Sequence, residues 1–138
     1  MAGSESNANN EFVELYNPTA SVVDLTGWSI KRKSSSGSEN SLLVATRLQG
    51  KTAQPGKHFL ATNETGYSGS VAPDVSWATS NTLAYTNNSV ILYDAQGAKV
   101  EEVSWTEIPK GQSYARVSWD SSQFSVQATP TPQNTSAP

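Results

Sequence analysis

The chain of 138 residues is long enough for one domain with a hydrophobic core, and its 36% apolar and 15% charged residues suit a β-rich domain. A net charge of −3 makes nucleic acid an unlikely partner, because phosphate binding needs several converging cations. The absence of cysteine excludes disulfides and thiolate-bound metals. No apolar run approaches the roughly 20 residues of a membrane-spanning helix, so we expect no membrane insertion.

The amino-terminal residues predict a polar lead-in followed by a short strand. Residues 1–10 are small and polar, which favours a loop or a disordered, flexible segment. In the following segment EFVELYNP, Val13 and Leu15 share one face. Pro18 ends this strand because it has no amide hydrogen to donate to a neighbouring strand.

The next segment, DLTGWSIKRK, predicts a turn and then an amphipathic strand. Gly27 is expected to take a positive φ in the turn. Trp28 and Ile30 lie two residues apart, so they face the same side, where we expect Trp28 to fill the centre of the core. Lys31 and Lys33 face the opposite side.

The middle of the chain predicts short strands separated by turns. SLLVATRL, residues 41–48, is the first candidate, and the turn QPG leads into a strand at residues 57–62. VSWA is a short strand at most. Nothing in the sequence predicts a long helix.

The clearest prediction is a hairpin formed by residues 89–94 and 99–105, with residues 95–98 as its turn. The first of these strands, which contains Leu92, is apolar on both faces, so it is predicted to be central in its sheet. In the second strand, Val103 and Trp105 face the core.

Two further short strands are predicted in QSYARVSW and QFSVQA, and residues 129–138 form a Pro/Thr-rich linker or tail. The domain itself is therefore expected over residues 11–128. About eight short, mostly antiparallel strands indicate an all-β fold, with a β-sandwich preferred over an up-and-down barrel.

The order of these motifs resembles the lamin tail domain, an immunoglobulin-like β-sandwich. EFVELYNPTASVVDLTGWSIKRK is similar to the family's first strands and its Gly-Trp-x-Ile motif, and QPGKHFLATN is similar to its next turn and strand. APDVSWATSNTLAYTNNSVILYDAQGAKVEEVSW is similar to its last loop and hairpin. The resemblance covers roughly residues 11–119 and implies the fold of that family.

The resemblance implies a non-catalytic interaction module that binds a protein partner or a neighbouring domain. The polar, Thr-rich tail is more similar to bacterial members, which sit in exported or cell-surface proteins, whereas a nuclear location is the lamin-like alternative. Members of the family usually have an apolar strand before Glu-Phe-Val, which residues 1–10 do not supply. An open edge there predicts pairing into a homodimer.

No residue pattern predicts catalysis, a cofactor or a metal site. His58 is the only histidine and no nucleophile-elbow motif accompanies the serines. Glu101 and Glu102 point to opposite faces of a strand, so they cannot act together on one substrate. The aspartates lack the spacing of a calcium loop, and they are Asp24, Asp74, Asp94 and Asp120.

Two sets of residues are the candidates for binding. Lys31, Arg32 and Lys33 are interpreted as a solvated face, with phosphate contact in an accessory domain of a secreted nuclease or phosphatase as the alternative. Trp105 and Trp119 are expected in the core. Three further aromatic side chains are candidates for stacking on a glycan, and they are Tyr67, Trp77 and Tyr85.

Overall fold

The computed structural model describes residues 1–136, in which eleven strands and one four-residue helix are found. An all-β fold is therefore confirmed. The strands are β1 Phe12–Tyr16, β2 Val23–Asp24, β3 Ser29–Lys33, β4 Glu39–Leu43, β5 Thr52–Ala53, β6 His58–Asn63, β7 Val75–Trp77, β8 Thr86–Tyr93, β9 Lys99–Glu107, β10 Ser113–Arg116 and β11 Phe124–Gln127. The helix α1 is Ala45–Leu48.

Two sheets form the body of the domain. One has four antiparallel strands in the order β4-β3-β8-β9, and the other has three in the order β1-β6-β7. β6 and β7 are parallel, while the small pairs β2-β5 and β10-β11 are antiparallel. The sandwich with mostly antiparallel strands is confirmed, and the barrel alternative is not needed.

The predicted hairpin of residues 89–105 is present and slightly longer than expected. β8 lies between β3 and β9, as its apolar character on both faces predicts. Ile30 of β3 pairs with Leu92 of β8, and Val90 pairs with Val103 of β9. The turn is closed by a hydrogen bond from the backbone N–H of Asp94 to the carbonyl of Ala98.

Gly27 has the positive φ that its turn predicts, at +85°. A Cβ at this position would lie 2.9 Å from the Cβ of Ala95 in the turn between β8 and β9. Only glycine therefore meets both demands, since the backbone conformation and the close approach of the two turns each disfavour a side chain.

Replacing Gly27 with alanine is expected to lower the free energy of unfolding by about 2 kcal/mol or more, from left-handed strain plus the collision with Ala95. Gly97→Ala is the matched control, because Gly97 has φ +77° and no atom within 4 Å of its Cβ position. The free energy of unfolding of that variant should fall by about 1 kcal/mol from backbone strain alone. Urea denaturation measures both, and equal losses would show that the contact with Ala95 is unimportant.

The core is centred on Trp77 rather than on Trp28. Trp77 has no exposed surface, and its indole N–H donates to the carbonyl of Asn81 at 2.8 Å. Trp28 is half-buried and packs against the edge of the core cluster, so the prediction that it fills the centre is wrong. The other predicted core residues divide into two buried ones, Ile30 and Trp105, and three half-buried ones, Leu15, Leu92 and Val103.

The predicted strand at residues 41–48 is wrong in its second half. β4 ends at Leu43, and α1 follows at Ala45–Leu48. Leu42 and Leu43 are consecutive and both fully buried. The pairing of β3 with β4 shifts between Ile30 and Lys31, so Leu42 is the extra residue of a bulge just before β4 ends. The helical turn carries Leu48 back into the core.

Residues 1–10 form a loop that packs on the domain, which corrects the expectation of a flexible lead-in. Met1 exchanges backbone hydrogen bonds with Phe12, and Ala2 forms a bridge with Glu11 and is buried in the core cluster. Gly66 has a backbone atom of Asn9 within 1.9 Å of its Cβ position, so the lead-in lies directly against this glycine. β1 nevertheless has no full strand on its outer side within residues 1–136.

The tail also packs on the domain over its described part, although a linker was predicted. The backbone N–H of Gln133 donates to Glu14 at 2.7 Å, and that of Thr135 donates to Asp74 at 3.1 Å. The last two residues of the predicted tail, 137–138, lie outside the described residues. Residues 130–136 are called the strap below.

Candidate interaction surface

The basic run does not form a converging cationic patch. Lys33 contacts the carboxylate of Glu102, and Arg32 donates to the carbonyl of Thr82. Lys31 lies over the ring of Tyr93, with 5.4 Å from its Nζ to the ring centroid. Each charge is therefore engaged within the chain, and the arrangement does not favour phosphate binding, which needs several free cations together.

The three rings predicted to stack on a glycan are scattered, and one of them is inaccessible. Trp77 is fully buried, so its assignment to a ligand platform is wrong. The hydroxyl of Tyr67 donates to the carbonyl of Val71, and its ring packs edge-on against Phe12 at 6.4 Å. Tyr85 alone is exposed, and its ring is covered on one side by the ammonium group of Lys110 at 5.1 Å.

Glu101 and Glu102 lie apart, as strand alternation predicts. Glu101 contacts the guanidinium of Arg116, whereas Glu102 contacts the ammonium groups of Lys33 and Lys99. The hydrogen bonds from these two lysines lower the pKa of Glu102. Over residues 1–136, no three His, Asp or Glu side chains are grouped in a way that would hold a metal ion.

A cleft of about 910 Å³ opens between the two main sheets, on the side where β1 and β9 are edge strands. Its inner wall is formed by apolar side chains that are only half-buried, and they include Trp28, Leu92 and Val103. This explains why several predicted core residues are not fully enclosed. A space of this size falls within the range of small-molecule pockets.

The β10-β11 hairpin spans this cleft from one sheet to the other. Arg116 contacts Glu101 of β9, and Trp119 packs against Tyr16 of β1 with ring centroids 6.3 Å apart. Within the hairpin, Tyr114 and Phe124 stack at 5.3 Å. The hairpin is thus held by side-chain contacts at its two sides and not by backbone pairing with either main sheet.

Four exposed apolar side chains line the cleft at its opening, and we call them the mouth patch: Tyr16, Val100, Val117 and Trp119. Trp119 is 64% exposed, so the expectation that it lies in the core is wrong. β10 ends at Arg116, and the alternation that would have turned Trp119 inward does not continue to it. The sequence signal for this exposure was the run of turn residues Ser118, Asp120 and Ser121 around it.

His58 and Glu14 form a polar pair beside the mouth patch. The imidazole Nε2 of His58 lies 3.6 Å from the carboxylate of Glu14, and the ring of His58 lies 4.8 Å from that of Tyr16. Burial raises the pKa of Glu14, and the hydrogen bond from Gln133 and the nearby His58 offset part of this rise. The Nδ1 atom of His58 is buried and has no hydrogen-bond partner within residues 1–136.

A comparison with models of protein families identifies the family of this chain. The family model described as Lamin Tail Domain matches residues 1–107, which is more than half of the chain. The chain belongs to the lamin tail domain family. A search of curated proteins found no match.

As a lamin tail domain, the chain has the immunoglobulin-like fold of a non-enzymatic family of interaction modules, as the resemblance implied. The β10-β11 hairpin and the strap lie beyond the matched residues, so they are additions to the part that the family model describes. None of the helical structure in residues 1–136 has the length and apolar character that crossing a membrane requires.

Proposed function

We propose that this lamin tail domain is a non-catalytic interaction module that binds a protein partner through the mouth patch. We further propose that it belongs to a larger protein that is exported or displayed on a bacterial cell surface. The polar, Thr-rich composition of residues 129–138 supports this location, since it is more similar to bacterial members of the family.

The observation that carries the proposal is the grouping of exposed apolar side chains at the opening of the cleft. Trp119 is 64% exposed, Val117 is 56% exposed and Val100 is 50% exposed. Apolar groups that cluster on a surface beside a concave opening commonly mark binding sites, and tryptophan and tyrosine contribute most to such interfaces. The ion pair of Arg116 with Glu101 at the same place supplies a polar rim.

The test is site-specific photo-crosslinking in cells, with a photoreactive residue placed at Val117. We expect one discrete adduct, identified by mass spectrometry, which disappears when Trp119→Ala is added. The matched control carries the photoreactive residue at Val22, which is 51% exposed and does not line the cleft. Equal labelling at both positions, or no discrete adduct at Val117, would refute the mouth patch as the binding surface.

A glycan ligand is the second candidate, and a different pair of rings now supports it. Tyr16 and Trp119 lie side by side with their planes inclined at 52°, and both are exposed. Flat apolar rings beside hydrogen-bonding groups such as Glu14 and His58 suit a sugar ring. Binding on a glycan array that is lost in Trp119→Ala would select this candidate over the protein partner.

A further inference from the structure

The outer face of the β1-β6-β7 sheet carries an apolar side chain between two carboxylates. Glu14 of β1 pairs with Leu60 of β6, and Asp74, which immediately precedes β7, exchanges hydrogen bonds with the backbone of Leu60. Leu60 is fully buried, yet it is absent from the hydrophobic core cluster to which its neighbours Phe59 and Ala61 belong. It therefore faces away from the interior and is covered from outside.

The strap lies over this row of three residues. The N–H of Gln133 donates to one carboxylate, Glu14, at 2.7 Å, and the N–H of Thr135 donates to the other, Asp74, at 3.1 Å. The amide of Asn134, between them, donates to the carbonyl of Ala72 at 2.8 Å. The strap thus crosses the sheet by side-chain and backbone contacts and does not add a strand to it.

The contacts depend on two properties of the strap, the spacing of its N–H groups and the hydroxyl of Thr135. The N–H groups of Gln133 and Thr135 are two residues apart in the strap. The carboxylates that they contact lie on either side of Leu60, and an extended segment spans this separation. The hydroxyl of Thr135 donates to the second oxygen of Asp74 at 2.7 Å, so this carboxylate binds both the amide and the side chain. Charge-assisted bonds of this kind are stronger than neutral ones.

We propose that this face of the sheet is a peptide-binding site that the strap fills in cis. Its ligand in trans is an extended Pro/Thr-rich segment of another protein, with threonine or serine at the position of Thr135. The site adjoins the mouth patch, because Glu14 lies on the same face of β1 as Tyr16 and lines the same cleft. Leu60 and Asp74 do not line that cleft, so the proposal does not depend on the function of the mouth patch. The strap is held by few bonds and remains half-buried from Pro132 to Thr135, so a competing segment can replace it.

The test uses the full chain with Gln133→Pro and Thr135→Pro, which removes both N–H donors and the hydroxyl of the strap. A fluorescein-labelled peptide with the sequence of residues 129–136 is the probe, and anisotropy is the readout. The tethered strap competes at an effective concentration of roughly millimolar. We therefore expect the released chain to bind the peptide at least about tenfold more tightly than the unmodified chain does.

The matched control is the same peptide with both proline substitutions, which should not bind. On the unmodified chain, an excess of the unsubstituted peptide should displace the strap and raise amide hydrogen exchange at Gln133 and Thr135. Equal affinity of the two peptides, or unchanged exchange with excess peptide, would overturn the proposal. If the unmodified chain dimerises by exchanging straps, the ligand in trans is a second copy of this chain. That result would overturn the assignment of the ligand to another protein.

Discussion

Replacing Trp77 with alanine is expected to lower the free energy of unfolding by about 3–5 kcal/mol, the range for removing a large aromatic side chain from a core. Trp77 has no exposed surface, and its indole N–H donates to Asn81. The amide of Asn81 in turn donates to the carbonyl of Leu42 in β4, so the indole also supports a link between the sheets. Chemical denaturation with urea measures the change.

Trp119→Ala is the matched control for this prediction, because Trp119 is 64% exposed. We expect it to lower the free energy of unfolding by no more than about 1 kcal/mol, because it removes only the ring contact with Tyr16. If Trp77→Ala fails to fold, Trp77→Phe keeps most of the volume and should still lose more stability than Trp119→Ala. Similar losses at both tryptophans would contradict the assignment of one to the core and the other to the surface.

Replacing Glu11 with alanine is expected to lower the free energy of unfolding by about 2–4 kcal/mol, because it leaves two buried donors without an acceptor. The carboxylate of Glu11 is fully buried and accepts from the N–H of Leu83 at 2.6 Å and from the amide of Asn63 at 3.2 Å. It thereby ties β1 and β6 to the loop before β8. Glu11→Gln keeps one acceptor oxygen, and we expect a smaller loss of about 1–2 kcal/mol.

The same carboxyl group gives stability a pH dependence with a definite sign. Burial raises the pKa of Glu11 above its ordinary value of 4.5, and the hydrogen bonds from Leu83 and Asn63 offset part of the rise. The folded state therefore holds this proton more tightly than the unfolded state, and stability falls as the pH rises from about 4.5 through the raised pKa. Glu11→Gln should remove the contribution of Glu11 to the pH dependence of denaturation midpoints. Glu14, whose pKa is also raised by burial, contributes with the same sign. The buried amino group of Met1, whose pKa is lowered to about 5, contributes with the opposite sign between about pH 5 and 8. An unchanged slope would contradict the role of Glu11.

The hairpin and the strap give this lamin tail domain two features beyond the residues that the family model matches. The β10-β11 hairpin joins the edges of the two sheets through Arg116 and Trp119, and the strap covers Leu60 on the outer face. The hairpin is held by side-chain contacts, whereas backbone N–H groups of the strap donate to carboxylates of the sheet. The proposed binding sites therefore lie where the residues that the family model matches meet the residues that follow them.

Local patterns predicted the strands that pair within their own hairpin. Alternation in residues 89–105 and the turn between them were sufficient for β8 and β9, because the partners are neighbours along the chain. Gly27 was likewise predictable, since a tight turn demands a positive φ from nearby residues alone. The helical turn at Ala45–Leu48 was missed because the need to bury Leu48 comes from the packed core.

The sequence by itself determined the fold class, the family and the absence of a recognisable catalytic pattern, because these depend on periodicity and on the order of motifs. Only the tertiary structure decided which tryptophan is buried and which is exposed, and that a polar tail closes over Leu60. The physical reason is that exposure depends on what packs above a residue. For Trp77, Trp119 and Leu60, those contacts come from segments distant along the chain or from the point at which a strand ends.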